Sequence, residues 1–182
     1  MDREMSPRKP RLATVWLGGC SGCHMSFLDL DERLIDLAAK VELYASPITD
    51  YKTFPEADIT LVEGAVANFE HLEHIKQVRE RTKILVSFGD CAVTANVTAL
   101  RNPFSLEKVL GRSYVETSAT IVGIPEGNGV VPRLLERVVP VHEVVPVDYY
   151  LTGCPPAADV IFELVTALLE NRAPELDGRK FG

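Results

Sequence analysis

The sequence predicts a three-layer α/β domain, with a parallel sheet in the middle and helices on both faces. Two observations predict this fold class. Short, apolar, β-rich runs alternate along the chain with stretches of helical periodicity, as they do in parallel βαβ units. Three of these runs lead directly into turns that contain cysteine and glycine, and the carboxyl ends of parallel strands are where sites form in open sheets. At 182 residues the chain has the length of one domain.

Five strands are expected where short runs are rich in β-branched and aromatic residues. They are Leu12–Leu17, Val41–Ser46, Ile59–Glu63, Lys83–Phe88 and Val144–Leu151. Three helices are expected where apolar or charged residues follow a helical pattern. They are His24–Lys40, Phe69–Arg81 and Pro155–Leu169, and the two prolines that open the last one favour a helix start. Together these elements predict a flavodoxin-like fold.

The domain organisation is simple. Residues 1–11 are polar and basic, and we expect a flexible N-terminus there, followed by a single flavodoxin-like domain over residues 12–182. Within that domain, residues 102–140 are dense in glycine and proline and are interpreted as an irregular insertion near the sheet edge. Only Val131–Val139 is expected to be helical inside the insertion.

Composition and charge exclude several function classes. The content of 46% hydrophobic and 25% charged residues is that of an ordinary globular protein. A net charge of −7 argues against nucleic acid or an anionic membrane surface as a partner. No apolar run approaches the roughly 18 residues of a membrane span, and no export signal is evident. We therefore expect a cytoplasmic protein, in which four cysteines are typical of metal ligands or redox thiols.

All four cysteines follow predicted strand ends. Cys20 and Cys23 form a C-x-x-C turn after the first strand, Cys91 lies in Gly-Asp-Cys-Ala after the fourth, and Cys154 lies in Gly-Cys-Pro-Pro after the fifth. Because the carboxyl ends of parallel strands meet at one edge, the four thiols are predicted to converge. Four thiolates in one place hold an iron–sulfur cluster or a zinc ion.

Three other uses of these cysteines remain open. A structural zinc site usually pairs two close knuckles, whereas here only Cys20 and Cys23 form a close pair. Residues 20–24 also match the C-x-x-C-H motif of c-type haem attachment, with His24 as its histidine. A strand, C-x-x-C and helix in this order are typical of a thioredoxin-like dithiol as well. The haem and dithiol interpretations leave Cys91 and Cys154 without a role, which favours the cluster.

Other polar residues give weaker signals. Glu63 ends an apolar strand on the edge that carries the cysteines, so its carboxylate is expected either to be held by backbone amides or to pass protons. His71 and His74 are three residues apart, whereas zinc-protease motifs place their histidines four apart. We interpret these two histidines as part of a solvated helix face.

Four segments together resemble the small, electron-transferring subunits of [NiFe] hydrogenases. They are Cys-Ser-Gly-Cys-His-Met-Ser at 20–26, Val-Glu-Gly-Ala-Val at 62–66, Gly-Asp-Cys-Ala at 89–92 and Val-Asp-Tyr-Tyr-Leu-Thr-Gly-Cys-Pro-Pro at 147–156. They occur in the family's order and span nearly the whole chain. The cysteines that match Cys20, Cys23, Cys91 and Cys154 hold one proximal [4Fe–4S] cluster in that family, and the glutamate that matches Glu63 lies near the subunit interface.

The resemblance implies that two subunits have different functions. A separate large subunit carries the nickel–iron site, and the small subunit passes electrons without performing bond chemistry itself. Many relatives carry a twin-arginine leader and a C-terminal cluster domain, and neither is expected here. The sequence therefore looks like the small subunit of cytoplasmic, bidirectional NAD(P)-linked hydrogenases, which hand electrons to flavin and iron–sulfur diaphorase subunits. The related quinone-oxidoreductase subunit of respiratory complex I has adjacent cysteines in place of C-x-x-C.

Alternatives at the level of function follow from the same residues. A cytoplasmic hydrogenase small subunit that serves F420 (a deazaflavin), ferredoxin or polysulfide would carry an identical cluster. A flavodoxin-like flavoprotein suits the fold class, but FMN is not indicated because no clear phosphate-binding loop is visible. A zinc-stabilised binding module without redox function is the third alternative.

Overall fold

The computed structural model describes residues 8–47, 49, 53–117, 123–125 and 129–176. It contains seven strands in these ranges: β1 (Arg11–Trp16), β2 (Glu42–Ala45), β3 (Ala57–Glu63), β4 (Val66–Asn68), β5 (Thr82–Phe88), β6 (Leu134–Val139) and β7 (Tyr149–Leu151). Five of them form one sheet in the order β2-β1-β3-β5-β7, and all of its pairings are parallel. β4 and β6 form a separate antiparallel pair.

In the same described ranges, six α-helices connect or flank these strands. They are α1 (Gly22–Leu28), α2 (Arg33–Lys40), α3 (Phe69–Glu80), α4 (Asp90–Thr94), α5 (Leu106–Gly111) and α6 (Ala158–Leu169). Within the described part of the chain, none of the helices combines the length and the hydrophobicity that crossing a bilayer requires.

Helices cover both faces of the sheet, as the sequence predicts. Because successive side chains of a strand point to opposite faces, neighbouring residues enter different cores. On β3, Leu61 packs in one core and Val62 in the other. The first core includes side chains of α1, α2 and α6, and the second includes Ile75 and Val78 of α3. The three-layer α/β fold is thereby confirmed.

The long helix expected over His24–Lys40 is two helices. α1 ends at Leu28 and α2 begins at Arg33, and Asp31 between them has a left-handed backbone with φ of 50°. Leu30 is buried in the core although it lies in this turn. The apolar spacing therefore continues across the break, which is why periodicity alone predicts one helix.

The helix expected over Val131–Val139 is wrong, because Leu134–Val139 is strand β6. It pairs with β4, so that Val66 faces Val139 and Asn68 faces Leu134. The rest of the insertion is less irregular than expected, with α5 and a π-helical turn at Arg112–Glu116. The partner strand β4 is far from β6 in sequence, so the residues around Leu134–Val139 do not by themselves indicate a strand.

Strand ends elsewhere differ from expectation by small amounts. β1 begins at Arg11. Of the N-terminus expected to be flexible, residues 1–7 lie outside the described residues. Arg8 is described, and its guanidinium forms an ion pair with Asp58 at 2.9 Å. The strand expected over Val144–Leu151 is limited to β7, because residues 144–148, which include Pro146, form a turn and irregular backbone.

Candidate metal centre

The carboxyl ends of four parallel strands are aligned in one row. Trp16 of β1 faces Glu63 of β3, Glu63 faces Phe88 of β5, and Phe88 faces Leu151 of β7. The cysteines come shortly after three of these residues, so the register of the sheet delivers all three cysteine-bearing turns to the same edge.

The negative charges of the cysteine thiolates act on one another. Cys23 and Cys91 are buried, whereas Cys20 and Cys154 are exposed. Burial raises the pKa of the Cys23 thiol, and nearby negative charges raise it further, in decreasing order those of Glu63, Cys91, Cys20 and Cys154. Burial likewise raises the pKa of Cys91, and charge on Cys20 and Cys154 adds to it. Thiols arranged in this way are difficult to ionise together unless a cation compensates their charge.

Two glycines shape the space around the thiols. Gly89 has φ of 82°, and a Cβ built on it would lie 2.2 Å from the sulfur of Cys23. Gly153 has φ of 131°, and a Cβ on it would lie 2.6 Å from the Cα of Pro156. Only glycine fits either position, because both the backbone conformation and the close contact exclude a side chain. These contacts explain why glycine occupies both positions in the turns that carry Cys91 and Cys154.

Glu63 holds the turn that carries the first two cysteines. Its carboxylate is 2% exposed and accepts hydrogen bonds from the backbone N–H groups of Cys23, at 3.3 Å, and His24, at 3.0 Å. These amides belong to the first turn of α1, whose unpaired N–H groups favour a carboxylate. One of the two roles expected for Glu63, that of a carboxylate held by backbone amides, is therefore confirmed, whereas the proton path stays a prediction.

The His24 side chain is directed inward. Its Nδ1 contacts the Glu63 carboxylate, and its ring lies edge-on to Trp16 and Phe88, with centroids 5.2 Å and 6.0 Å away. Because the His24 imidazole contacts the buried Glu63 carboxylate, it helps to hold the turn that carries Cys20 and Cys23. This arrangement disfavours the axial haem ligand that the C-x-x-C-H motif suggests.

His71 and His74 lie in a different place from the cysteines. They are half-buried on α3 and line a cavity of about 490 Å³ together with Trp16 and Phe54. Burial lowers the pKa of both histidines. The expectation of a solvated helix face is therefore wrong for these two side chains, because the helix turns them towards the β1 and β2 ends.

The donor chemistry of this edge fits an iron–sulfur cluster. Thiolates are the ligands of such clusters, which distribute them over several iron atoms. The charges of Cys91, Cys20 and Cys154 all act on Cys23, and the sulfur of Cys23 fills the place that a side chain at residue 89 would take. Across the residues that the structure describes, no three or more His, Cys, Asp or Glu side chains form a group suited to one metal ion.

Two curated proteins similar to this chain are subunits of hydrogenases. The delta subunit of the NAD-reducing hydrogenase HoxS of Cupriavidus necator is 42% identical over 172 residues, which is 92% of this chain and 82% of that protein. A subunit of the F420-non-reducing hydrogenase of Methanothermobacter marburgensis is 39% identical over 176 residues, covering 92% of this chain and 56% of that protein.

Solved structures extend this likeness to the fold. A chain in the crystal structure of an NAD+-reducing [NiFe]-hydrogenase in the H2-reduced state superposes with a TM-score of 0.90 at 43% identity, over 96% of this chain and 100% of that one. A chain of the [NiFeSe]-hydrogenase of Dm. baculatum, at 18% identity and a TM-score of 0.56, shares the fold. The family described as NADH ubiquinone oxidoreductase, 20 Kd subunit, matches residues 20–168. With that match over most of its length, the chain belongs to this family of oxidoreductase subunits.

Proposed function

We propose that this chain is the small subunit of a cytoplasmic [NiFe] hydrogenase that reduces NAD(P), and that it carries one [4Fe–4S] cluster. The observation that supports the proposal most directly is the aligned row of strand ends, which brings Cys20, Cys23, Cys91 and Cys154 to one edge. The 42% identity to the HoxS delta subunit and the TM-score of 0.90 to a chain of an NAD+-reducing hydrogenase support the enzyme class.

The bound cluster would supply one-electron transfer at low potential. Hydrogen oxidation at pH 7 has a midpoint of about −0.41 V, from about 59 mV per tenfold change in proton concentration, and cysteine-ligated clusters reach roughly −700 mV. The residues of this chain hold and orient that group: the four cysteines ligate it, Glu63 fixes the first turn, and the exposed side of Cys20 and Cys154 faces solvent or a partner.

The proposed partners follow from this role. A large subunit carries the nickel–iron site that cleaves hydrogen, and diaphorase subunits with flavin and further clusters deliver hydride to NAD(P). Large exposed apolar side chains lie next to the cysteines in sequence, among them Trp16 at 41% and Met25 at 60% exposure, and such residues are suited to a protein interface. Nucleic acid and membranes are not expected partners.

An electron acceptor other than NAD(P) is the second candidate, and an activity assay distinguishes the two. The 39% identity to a subunit of an F420-non-reducing hydrogenase supports, as the second candidate, a hydrogenase small subunit whose acceptor is not NAD(P). Hydrogen-dependent reduction of NAD, NADP, F420 and ferredoxin by the purified assembly distinguishes these classes. Reduction of NAD or NADP alone supports the proposal, whereas activity only with another acceptor assigns the chain to the second class.

The cluster itself is tested by metal analysis. Protein purified anaerobically with its co-purifying subunits is assayed for iron, sulfide, nickel and zinc, in wild type and in Cys91→Ser. We expect the substitution to remove about four iron and four sulfide per chain, the content of a [4Fe–4S] cluster, and to uncouple hydrogen oxidation from acceptor reduction. Ser87→Ala, a change at a buried residue near the end of β5, is the matched control. Zinc in place of iron, or full iron in Cys91→Ser, contradicts the proposal.

A further inference from the structure

Three separate segments carry the four cysteines at the sheet edge. The first covers residues 18–26 with Cys20 and Cys23, the second residues 89–98 with Cys91, and the third residues 153–156 with Cys154. Each pair of these cysteine segments is joined by one hydrogen bond from or to a side chain. The strand pairing ends at Phe88 and Leu151, and beyond it these side-chain bonds continue the connection together with backbone bonds of Gly89 and Asp90.

Asp90 joins the second segment to the third. Its Oδ1 accepts the Gly153 N–H at 2.7 Å, and its own N–H donates to the Gly153 carbonyl at 2.9 Å. The two bonds close a ring between the residues that directly precede Cys91 and Cys154. A shift of one cysteine relative to the other therefore has to break this ring.

Thr98 joins the second segment to the first. Its hydroxyl donates to the Gly18 carbonyl at 3.0 Å, two residues before Cys20. Thr98, at the end of the segment that carries Cys91, thus contacts the backbone that leads to Cys20.

Ser26 joins the first segment to the third. Its buried hydroxyl, 6% exposed, donates to the Pro156 carbonyl at 2.6 Å. This bond connects α1, which carries Cys23, with the turn that carries Cys154. The three bonds together form a closed triangle among the cysteine segments.

We propose that Asp90, Thr98 and Ser26 are positioning residues that fix the spacing of the cysteine segments before the metal group binds, an inference that rests on the proposed function. Groups behind metal ligands orient those ligands and tune the affinity for the metal. A site whose segments are already joined loses less conformational freedom on binding, so the ligands release the group more slowly. The residues act through the cysteines and need no contact with the cluster.

The chain offers matched controls for two of these residues. Asp148 is also a carboxylate that accepts a backbone N–H, that of Leu85 at 2.8 Å, but it lies at the opposite end of the β5–β7 pair. Thr60 forms a buried hydroxyl pair with Thr82 at 2.8 Å inside the sheet. Asp148→Ala therefore controls for Asp90→Ala, and Thr60→Val controls for Thr98→Val. Asp90→Asn retains an oxygen that can accept the Gly153 N–H.

The experiment measures the rate at which a ferrous chelator removes iron from the anaerobically purified assembly, and in parallel the urea unfolding of each variant. We expect Asp90→Ala and Thr98→Val to release iron about tenfold faster, the factor that corresponds to one ordinary hydrogen bond. Asp90→Asn is expected to stay near the wild-type rate. Asp148→Ala and Thr60→Val are expected to unfold at lower urea but to release iron at the wild-type rate.

Two results overturn the inference while leaving the proposed function intact. One is iron release from Asp90→Ala and Thr98→Val within twofold of wild type. The other is equally fast release from the two control variants, since that outcome assigns the effect to general destabilisation. Wild-type protein without iron overturns the proposed function and this inference together.

Discussion

At the scale of single residues, Glu63 stabilises the cysteine turn and is also the residue for which we expect a role in proton transfer. The buried carboxylate accepts two backbone N–H groups of the cysteine turn and contacts the His24 ring. Bonds between backbone amides and a charged acceptor are stronger than those between neutral groups. The same position next to the sheet edge is what suggests a proton path, so stability and turnover have to be measured separately.

Glu63→Gln tests both roles. The amide keeps one acceptor oxygen but presents its NH2 group to a backbone N–H, so we expect the free energy of unfolding to fall by about 1–3 kcal/mol, the cost of a buried donor left without a partner. Iron content is expected to stay near normal because no thiol is lost, whereas hydrogen turnover slows. Urea unfolding, iron analysis and a hydrogen oxidation assay provide the measurements. Unchanged turnover removes Glu63 from any proton path.

His71 predicts a pH dependence of stability. The Ala67 N–H donates to its Nδ1 at 3.4 Å, which requires an unprotonated nitrogen, and burial lowers the pKa of His71 and of His74 below 6.5. Because the unfolded chain binds these protons more readily, stability is unaffected above the unfolded pKa and is lost as pH falls from there towards the lower folded pKa.

The test compares urea unfolding of wild type and His71→Gln on both sides of the unfolded histidine pKa, at about pH 7.5 and about pH 5.5. Wild type is expected to lose stability on acidification. The variant should lose less, because one of the two histidines whose pKa burial lowers is gone. Equal losses in both proteins exclude His71 as a source of the pH dependence.

At the scale of elements, strand β6 depends on residues outside any strand. Asn102 accepts the Val138 N–H with its Oδ1 and donates to the Val138 carbonyl with its Nδ2, both at 2.8 Å. Arg101 adds hydrogen bonds to the carbonyls of Leu135, at 2.6 Å, and Glu136, at 3.1 Å. These side chains replace a neighbouring strand on the free edge of β6.

Asn102→Ala is therefore expected to destabilise the β4–β6 pair. Val138 is 3% exposed, so its two backbone groups lose their partners in a buried place, and we expect a loss of about 1–3 kcal/mol in the free energy of unfolding. Arg137→Ala, at an exposed residue of the same strand, serves as the control and should change stability by less than about 0.5 kcal/mol. A loss in Asn102→Ala no larger than in the control contradicts this account of β6.

Some elements of the fold could be predicted from the sequence, and others could not. The sheet strands and the convergence of the cysteine turns were predictable, because buried parallel strands read as continuous apolar runs and their carboxyl ends share one edge. β6 was not, since its identity depends on Val66–Asn68 and on Asn102, which are distant in sequence. The turn at Asp31 was hidden because Leu30 keeps the apolar spacing intact. Asp90 stands between Gly89 and Cys91 and so left a faint signal, whereas Thr98 and Ser26 have no cysteine or glycine as a neighbour and left none.

At the scale of the whole molecule, the cores and the cysteine edge are largely separate. Two groups of buried side chains lie on opposite faces of the sheet, and among the cysteines only Cys23 belongs to either of them. Most of the buried apolar area that stabilises the fold is therefore independent of any bound metal group. In this respect the chain differs from small zinc domains, which fold only when their metal binds.

Removal of the metal group should consequently loosen the edge without unfolding the domain. After anaerobic chelation we expect nearly unchanged far-UV circular dichroism and faster amide hydrogen exchange confined to residues 18–26, 89–98 and 153–156. The interior of β3 and β5, where Leu61 and Val86 are fully buried, should keep its protection, because local opening at the edge does not require the sheet to separate. Exchange that accelerates equally in β3 and β5 would mean that the group stabilises the whole fold, and the sheet could then no longer be regarded as a scaffold that stands without it.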